Sequence, residues 1–306
     1  MDLTIIIPVY NEEGNIGLLY ERLTKVMQSL SINYELLFVN DGSRDNSILL
    51  VKELAAGHPE VKYIDFSRNF GHQVAVSAGL DKSKGNAVAI IDADLQDPPE
   101  LIVDLYNKMQ EGFEVVYARR RTRKGESLFK LWTAKLFYRL LTRITSIPIP
   151  VDTGDFRVID RKIVDILNDM PEKEKYLRGQ ISWIGFRQTF IEYDRQERHS
   201  GTTGYPFSKM FKFAIDGITG FSNFPLKIVS FFGFITSGIA FVVTLYALYA
   251  RFILKDYQPG WASLMVSILF IGGIQLISLG IIGEYLSRMN SNIRDRPLYI
   301  VRDTNC

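Results

Sequence analysis

The hydrophobic residues in the first third of the chain form short apolar runs separated by stretches with helical periodicity. The runs lie at about 3–9, 34–40, 61–66 and 87–92 and are rich in Val, Ile, Leu and Phe, as expected of strands buried on both faces of a sheet. Strands that alternate with helices are typical of βαβ units. The pattern therefore predicts an α/β domain with a Rossmann-type, mostly parallel sheet.

Two longer apolar stretches lie near the end of the chain. No Asp, Glu, Lys or Arg occurs from Ile228 to Ala250 or from Tyr257 to Gly283, and each stretch exceeds the roughly 20 residues that cross a hydrocarbon core. One such run could be a buried core helix. Two in tandem, joined by the short segment from Arg251 to Gly260, predict two transmembrane helices that form a hairpin.

Basic residues flank this hairpin on both sides. They are Lys209, Lys212 and Lys227 before it and Arg288, Arg294 and Arg296 after it. By the positive-inside rule both flanks are expected in the cytoplasm, although Arg251 and Lys255 in the connecting loop weaken the asymmetry. Met1 leads almost directly into the first strand, so no removable signal peptide is predicted. We expect a multi-pass protein of the cytoplasmic membrane, with the α/β domain and both termini in the cytoplasm.

Two amphipathic segments lie between the predicted sheet and the hairpin. In the helix predicted at about 128–146, Lys135, Arg139 and Arg143 recur every four residues against a broad apolar and aromatic face. A second such segment runs from Phe207 to Phe221. Amphipathicity does not by itself separate a core-facing helix from one that lies on lipid, but the nearby hairpin favours a contact with the lipid bilayer.

The charge of the chain argues against a nucleic-acid partner. The run from Arg119 to Lys124 is strongly basic, yet the net charge over 306 residues is only +2 and no recognition motif is present. A membrane-bound anionic acceptor suits this run better, because arginine binds phosphate oxygens through paired donors. The single cysteine, Cys306, excludes an internal disulfide, and the scattered histidines lack zinc-site spacing.

Polar residues follow three of the predicted strands. Tyr10 and Glu12 follow the first, Asp41 follows the second, and Asp92 and Asp94 follow the fourth. The carboxyl ends of parallel strands meet at one edge of a sheet, where α/β proteins build ligand sites. Two carboxylates one residue apart are hard oxygen ligands that suit Mg²⁺ or Mn²⁺ bridging to a diphosphate. A turn or a helix cap is the alternative role for each of these residues.

Three motifs carry a resemblance to a known family. Ile7-Pro8-Val9-Tyr10-Asn11-Glu12, Val39-Asn40-Asp41-Gly42-Ser43 and Asp92-Ala93-Asp94-Leu95-Gln96-Asp97-Pro98-Pro99, at these separations, resemble the inverting nucleotide-sugar glycosyltransferases of family 2. The resemblance covers about the first two-thirds of the chain and implies a GT-A-like fold. Within the family the chain is most similar to the polyprenyl-phosphate glycosyltransferases, the group of dolichyl-phosphate mannose synthase and the bactoprenol glucosyltransferases.

The resemblance also implies roles for individual residues. The nucleoside of the donor would be held by Pro8, Tyr10, Glu12 and Asp41, and metal, diphosphate and sugar by Asp92, Asp94 and Gln96. Arg119 matches the family's arginine that faces the acceptor phosphate, and Lys135 lies near a second basic position; from the basic run we add Arg123 as a third candidate for that phosphate. Arg198, in the loop that closes over the donor diphosphate, would offset the charge of the departing group. In the Arg198 loop, Gly204 stands where the family has lysine, and Lys209 or Arg195 could replace that cation.

Asp155 is the candidate acid/base residue on the acceptor side of this resemblance. A phosphate monoester has its second pKa near about 6 and is largely dianionic at neutral pH, so little proton removal is needed. Asp155 could therefore orient the acceptor, ligate the metal or deprotonate the minor monoanion. The sequence leaves these three roles open.

The combined interpretation is a membrane enzyme with four segments. They are a cytoplasmic GT-A-like domain at 1–200, a loop with a juxtamembrane amphipathic helix at 201–226, a transmembrane hairpin at 227–287 and a cytoplasmic tail at 288–306. We expect transfer of one hexose, glucose, from a UDP-sugar to a polyprenyl (undecaprenyl) phosphate with inversion. GDP-mannose or another nucleotide sugar as donor, a processive synthase and a non-catalytic membrane scaffold are the alternatives.

The tail contains a short β-prone stretch, from Arg296 to Val301. The chain offers it no obvious local hairpin partner, so we expect either a loose tail or pairing with the sheet edge of a neighbouring subunit. Pairing between subunits would make the protein a homo-oligomer.

Overall fold

A computed structural model describes residues 1–121, 153–194, 222, 224–249, 252–253 and 260–306. The strands are β1 Leu3–Val9, β2 Tyr34–Asn40, β3 Val61–Phe66, β4 Ala87–Ile90, β5 Val115–Arg120, β6 Thr153–Asp160, β7 Gln188–Tyr193 and β8 Val301–Thr304. The helices are α1 Ile16–Leu30, α2 Ser47–Gly57, α3 His72–Lys82, α4 Leu101–Gln110, α5 Arg161–Asp169, α6 Leu177–Ile184, α7 Phe224–Tyr249 and α8 Trp261–Ile293.

The strands form one mixed sheet in the order β7-β5-β6-β4-β1-β2-β3-β8. Neighbouring strands from β4 to β3 run parallel, as the sequence predicts. β6 runs antiparallel between β4 and β5, and β8 runs antiparallel to β3. The predicted α/β class is confirmed, and the predicted bounds of the first three strands are those of the structure. The fourth strand ends at Ile90, so Asp92 and Asp94 lie in the loop beyond it.

The hydrophobic core lies on both faces of this sheet. All seven residues of β1 are buried; Ile5 and Ile7 pack on one face with α1, and Ile6 packs on the other with α3. Side chains alternate between the faces of a strand, and a strand with apolar residues at both sets of positions belongs in the middle of a covered sheet. This explains why β1 holds the central position and brings its carboxyl end to the centre of the edge.

The end of the chain pairs with its own sheet. In β8, Thr304 lies opposite Ile64 and Asp303 opposite Asp65. The Tyr299 ring stacks on Phe66 with 5.1 Å between centroids. The expectation that residues 296–301 pair with a neighbouring subunit is wrong, because the strand starts at Val301 and its partner is β3 of the same chain. No local hairpin pattern indicates this partner, since β3 lies more than two hundred residues earlier in the sequence.

The two apolar stretches are helices. Within α7 and α8, Phe224–Val243 and Phe270–Ile293 have the length and hydropathy of membrane spans, and none of either span is buried inside the protein. The second helix continues past Gly283 to Ile293. At about 1.5 Å per residue its 33 residues extend over about 50 Å, whereas a hydrocarbon core is about 30 Å thick. The last turns of α8 therefore extend beyond a membrane that the helix spans.

The predicted amphipathic helices at 128–146 and 207–221, and most of the loop from Arg251 to Gly260, lie outside the described residues.

Candidate active site

The loops that follow the carboxyl ends of β1 and β2 are joined by hydrogen bonds. The backbone N–H of Asn11 donates to Ser43 Oγ at 3.0 Å, that of Arg44 to Asn11 Oδ1 at 2.8 Å, and that of Glu12 to Ser47 Oγ at 2.9 Å. Tyr10 stays 43% exposed at this edge. Pro8 lies inside β1, opposite Val39 of β2. These bonds hold the predicted nucleoside residues of the first strand against the loop that follows Asp41.

Asp41 joins a third loop to this arrangement. Its Oδ1 accepts the backbone N–H of Phe70 at 2.6 Å, and its Oδ2 accepts that of Gly71 at 3.0 Å. Burial raises the pKa of Asp41, and the two backbone N–H groups oppose that rise. Asp41 thus fixes the loop between β3 and α3 beside the predicted nucleoside site.

The two carboxylates after β4 sit in a tight turn. Leu95 has a left-handed φ of 60°, and the Gln96 N–H donates to Asp94 Oδ1 at 3.1 Å. Burial raises the pKa of Asp92 to about 6; His72 opposes the rise, while Asp155, Asp97 and Asp94 add to it. This crowding of negative charge favours binding of a cation at the turn.

β6 brings Asp155 to the same turn. Its register with β4 puts Arg157 opposite Ile90, and continuing the antiparallel pairing by two residues puts Asp155 level with Asp92. A purely parallel sheet would not place a strand entering from 153 at this edge. The family resemblance implies Asp155 as a site residue, but no local pattern in the sequence predicts the antiparallel strand that places it here.

Four side-chain donors surround the Asp155 carboxylate. Arg157 Nη2 and Arg178 Nε lie 3.1 Å from Oδ1, and Gln73 Nε2 and His72 Nε2 lie 3.1 Å from Oδ2. Burial acts to raise the pKa of Asp155, but Arg178, His72 and Arg157 together hold it well below the usual range of a carboxyl group. Asp155 is therefore an ionised anchor for these groups and a weak base.

Arg157 is the buried member of this group. Its side chain is 1% exposed, its guanidinium lies 5.1 Å from the centre of the Tyr117 ring, and it donates to the carbonyl oxygens of Gly154 and Asp155. These contacts and its burial restrict the conformations that the guanidinium can adopt. It fixes the direction in which Asp155 points.

His72 bridges two carboxylates. It is the first residue of α3, and its Nε2 lies 3.1 Å from Asp155 Oδ2 and 3.6 Å from Asp92 Oδ1. Burial opposes protonation, yet Asp92 and Asp155 raise the pKa of His72 to about 9. His72 is not among the predicted site residues, because the spacing of the three histidines along the chain indicates no zinc site. The available signal was that β3 also ends at this edge, so the loop after it must reach the site.

The basic run begins within β5, and its first two arginines have different partners. Arg119 ion-pairs with Glu192 at 3.4 Å and lies 4.3 Å from the Phe190 ring centre. Arg120 instead lies 4.0 Å from the buried Asp97, and Asp97 and Asp92 contribute to raising its pKa. Among the described residues of this run, Arg120 is therefore the one that pairs with a carboxylate beside the acidic turn, whereas Arg119 pairs with Glu192 on β7.

The acidic turn fits a divalent cation held jointly by protein and substrate. The described residues contain no group of three His, Cys, Asp or Glu side chains that could hold a metal by themselves. Mg²⁺ commonly takes one or two carboxylates and completes its shell with phosphate oxygens and water. Asp92 and Asp94 can supply those carboxylates, and the neighbouring Asp97 and Asp155 add negative charge at this position.

Other predicted site residues lie outside the described part of the chain. These are Arg123, Lys135 and Arg198, together with the rest of the loop from Arg195 to Tyr205.

Comparison with known proteins gives consistent matches over the whole chain. The family model for Glycosyl transferase family 2 matches residues 4–167. The Bacillus subtilis (strain 168) protein named Uncharacterized glycosyltransferase YkcC is 52% identical over 299 residues, which cover 98% of this chain and 93% of the relative. The Escherichia coli (strain K12) protein named Prophage bactoprenol glucosyl transferase homolog is 38% identical over 302 residues, 99% of each chain.

Among solved structures, the chain is similar to glucosyl-3-phosphoglycerate synthase from Mycobacterium tuberculosis in complex with Mn²⁺, uridine diphosphate and glucosyl-3-phosphoglycerate. The TM-score is 0.49 at 17% identity, over 71% of this chain and 77% of that chain.

Proposed function

The chain belongs to glycosyl transferase family 2, and we propose that it transfers one hexose, glucose, from UDP-glucose to a polyprenyl phosphate with inversion at the anomeric carbon. The family match makes the protein a glycosyltransferase. A relative named as a bactoprenol glucosyl transferase homolog matches 99% of this chain, including the apolar helices, and this supports a polyprenyl lipid as acceptor.

The observation that carries the proposal is the meeting of three carboxylates at one sheet edge. Asp92 and Asp94 follow β4, and Asp155 enters beside them on the antiparallel β6. The pKa of Asp92 is raised, whereas that of Asp155 is held well below its usual range. Carboxylates in such different environments perform different tasks: the first attracts a cation, and the second positions its neighbours.

On the donor side, the locked loops after β1 and β2 form the nucleoside site. We assign Pro8, Tyr10, Glu12 and Asp41 to the base and ribose, and Gln96 to the diphosphate-sugar. Tyr10 supports this role because it is an exposed aromatic side chain on a loop fixed by three backbone hydrogen bonds. Asp92 and Asp94 would hold Mg²⁺ or Mn²⁺ against the diphosphate, where the metal would offset charge on the leaving group.

The reaction is a single displacement. An oxygen of the acceptor phosphate attacks the anomeric carbon from the face opposite the diphosphate and forms the new C–O bond. The bond to the diphosphate breaks, and its electron pair leaves on the terminal phosphate oxygen of UDP. Arg198 is assigned to that developing charge, because preorganised cations act on charge that appears in the transition state.

For Asp155 we propose an orienting role. The carboxylate already accepts four side-chain donors, and its depressed pKa makes it a poor proton acceptor. The acceptor phosphate needs little deprotonation, because its second pKa is near about 6. Asp155 fixes Arg178 and His72, and these cations are left to face the two phosphate-bearing substrates.

On the acceptor side, Arg120 joins the residues expected from the sequence. Arg119, Arg123 and Lys135 remain candidates for binding the polyprenyl phosphate. Arg120 is supported by its approach to Asp97 and by the influence of Asp92 on its pKa. A guanidinium so placed can bind phosphate oxygens through two parallel hydrogen bonds.

We propose that α7 and α8 anchor the domain as a hairpin in the cytoplasmic membrane, with both termini in the cytoplasm. Their unburied apolar surfaces support this, as does the basic flank on each side. A cytoplasmic orientation gives the site direct access to nucleotide sugars.

A panel of radiolabelled nucleotide sugars tests the donor and the acceptor together. The purified protein is incubated with each donor, a divalent metal and polyprenyl phosphate, and the label is partitioned into the lipid phase. We expect transfer from UDP-glucose, one sugar per lipid, and a β-linked product by NMR from the α-linked donor. Transfer from GDP-mannose and from no other nucleotide sugar would show that GDP-mannose, and not UDP-glucose, is the donor. Long chains would favour a processive synthase, and transfer from no donor a scaffold.

A further inference from the structure

The last turns of α8 contact the loop between α5 and α6. Arg288, whose side chain is 15% exposed, forms an ion pair with Glu174 at 2.6 Å. Asn292 Oδ1 accepts the backbone N–H of Lys173 at 3.0 Å, and the Lys173 ammonium lies 2.8 Å from Asp295 Oδ1. We call this set of contacts the α8 dock. It joins the end of a candidate membrane span to the glycosyltransferase domain.

The dock uses one side of the helix. Arg288 and Asn292 are four residues apart and share a face of α8, and Asp295 follows two residues after the helix ends at Ile293. Arg288 is further held by Glu284, one turn earlier, at 3.2 Å. A charge on a long side chain that is braced from two sides loses less entropy on pairing than a free surface charge. The contact is therefore more than an incidental pair on the surface.

The loop that α8 contacts leads directly into the site. Three residues after Glu174, the backbone N–H of Leu177 donates to Gln73 Oε1 at 3.3 Å, and Gln73 Nε2 donates to Asp155. The next residue, Arg178, donates to the other oxygen of Asp155 at 3.1 Å. The first turn of α6 thus supplies or holds two of the four donors around Asp155. Any shift of the loop moves these donors.

The loop itself is braced. Lys175 Nζ donates to the carbonyl oxygen of Met170 at 2.8 Å, and Gln180 Nε2 donates to Glu172 Oε2 at 3.3 Å. A displacement at Lys173 or Glu174 is therefore passed to α6 and not absorbed by the loop. In addition, α8 is longer than a bilayer core by roughly 20 Å, and its charge-free part ends at Gly283. A helix that spans with this charge-free part places the dock at the membrane surface.

We propose that the α8 dock positions the Asp155 cluster relative to the membrane-borne acceptor phosphate. This inference rests on the proposed function. Arg288, Asn292, Asp295, Lys173 and Glu174 are positioning residues: they act through α6 on Arg178 and Gln73, and none touches a substrate. The acceptor phosphate is held at the height of the lipid headgroups, so the site must be fixed at a matching height and angle for in-line attack.

Charge reversal across the dock tests the proposal. We expect Arg288→Glu and Glu174→Arg each to lower kcat by about ten- to a hundred-fold at saturating donor and acceptor, because a misplacement near 1 Å can cost about a hundred-fold. The KM for the donor should stay close to that of the unaltered enzyme. The double variant, which restores an ion pair with opposite polarity, should recover most of kcat. Arg294→Glu is the matched control, with the same charge change at the same end of α8 outside the dock, and should leave kcat unchanged.

Three results would overturn the proposal while the unaltered enzyme transfers sugar: unchanged kcat in both single variants, no recovery in the double variant, or an equal loss in Arg294→Glu. Failure of the unaltered enzyme to transfer any sugar would instead count against the proposed function.

A cross-link gives an independent measurement. Cys306 is the single cysteine of the chain, so a Cys306→Ser background allows one disulfide to be placed between Lys173→Cys and Asn292→Cys. The close approach of these residues predicts that mild oxidation forms the bond. The two substitutions remove dock contacts and should lower kcat in the reduced protein, and the disulfide should restore it. Absence of the cross-link, or a locked enzyme that loses transfer and regains it on reduction, would contradict a docked active state.

Discussion

At the scale of single residues, the site depends on how charge is shared around Asp155. Its two oxygens each accept from two side chains, among them the buried Arg157 and the bridging His72. A carboxylate so engaged stabilises the fold as well as the site, because its partners would otherwise be left without an acceptor. Activity and stability should therefore fall together when it is altered.

The first prediction concerns Asp155→Asn. The amide removes the negative charge and leaves the buried guanidinium of Arg157 uncompensated, and breaking a buried pair in this way costs about 3–5 kcal/mol. We expect a clearly lower Tm in thermal unfolding together with a large loss of kcat. Asp160→Asn is a control on the same strand; Asn caps a helix about as well as Asp, so this change should leave Tm close to that of the unaltered protein. An inactive Asp155→Asn protein with an unchanged Tm would identify Asp155 as a base.

The second prediction separates two neighbouring arginines. Arg120→Ala removes a cation near the acidic turn and should lower kcat about a hundred-fold at saturating polyprenyl phosphate, because a misplaced acceptor phosphate no longer attacks in line. Arg119→Ala removes an exposed pair with Glu192 worth at most about 1 kcal/mol, so its effect should stay within about fivefold. Steady-state kinetics of both variants decide the matter. The opposite ranking would return the acceptor phosphate to Arg119.

At the scale of elements, the loops at the carboxyl edge depend on close backbone contacts. Gly42 has a φ of 65°, and a Cβ there would lie 2.4 Å from the backbone carbon of Arg68. The loop between β3 and α3, which leads into His72, packs against this glycine.

The third prediction follows from that contact. Gly42→Ala should destabilise the domain by about 2 kcal/mol or more, because the left-handed backbone and the clash act together. It should also weaken donor binding, measured by calorimetry with the nucleotide. Gly57→Ala, at the end of α2 with no atom within 4 Å of the added Cβ, is the control and should be close to neutral. Equal effects of the two substitutions would contradict the role given to Gly42.

The fourth prediction is a pH dependence of β8. Hydrogen bonds from Lys52 and Tyr63 lower the pKa of Asp303 below its usual 3.8. A lowered carboxyl pKa stabilises the folded state above pH 3.8, and that contribution is lost as the pH falls through the lowered value. Amide-exchange protection of Val301–Thr304, corrected for intrinsic rates, should therefore decrease below pH 3.8. Asp303→Asn should flatten this dependence; an equally steep profile in that variant would assign it to another group.

How far the sequence predicts these elements depends on how local their signals are. The parallel strands were predicted correctly because each is a short segment rich in apolar and aromatic residues that needs no partner to be recognised. β6 and β8 were not, because Asp303 and Asp155 lie in mixed polar segments whose pairing depends on distant strands. The same reason explains the site: Asp92 and Asp94 are marked by the strand before them, whereas His72 and Arg178 reach it only through tertiary packing.

At the scale of the whole molecule, the edge that carries the site and the membrane anchor are connected. The chain leaves the domain after β7, and two apolar helices with no buried span follow. It then returns through the α8 dock and ends as β8 on the far edge of the sheet. The end of α8 is thus held to the domain both by the dock and by β8, which follows it in the chain. An enzyme that acts on a lipid phosphate benefits from such an attachment, since the acceptor cannot leave the bilayer to find the site.

The most direct test of the account is mass spectrometry of the lipid after incubation with UDP-glucose, divalent metal and undecaprenyl phosphate. We predict one new species, heavier than the acceptor by a single hexose, formed by the unaltered protein. A folded Asp94→Asn protein should form almost none, because it has lost an anionic metal ligand. The account would be contradicted if the unaltered protein formed no hexosyl lipid from any nucleotide sugar. It would also be contradicted if the Asp94→Asn protein, assayed with a chelator, formed as much product as the unaltered protein forms with metal.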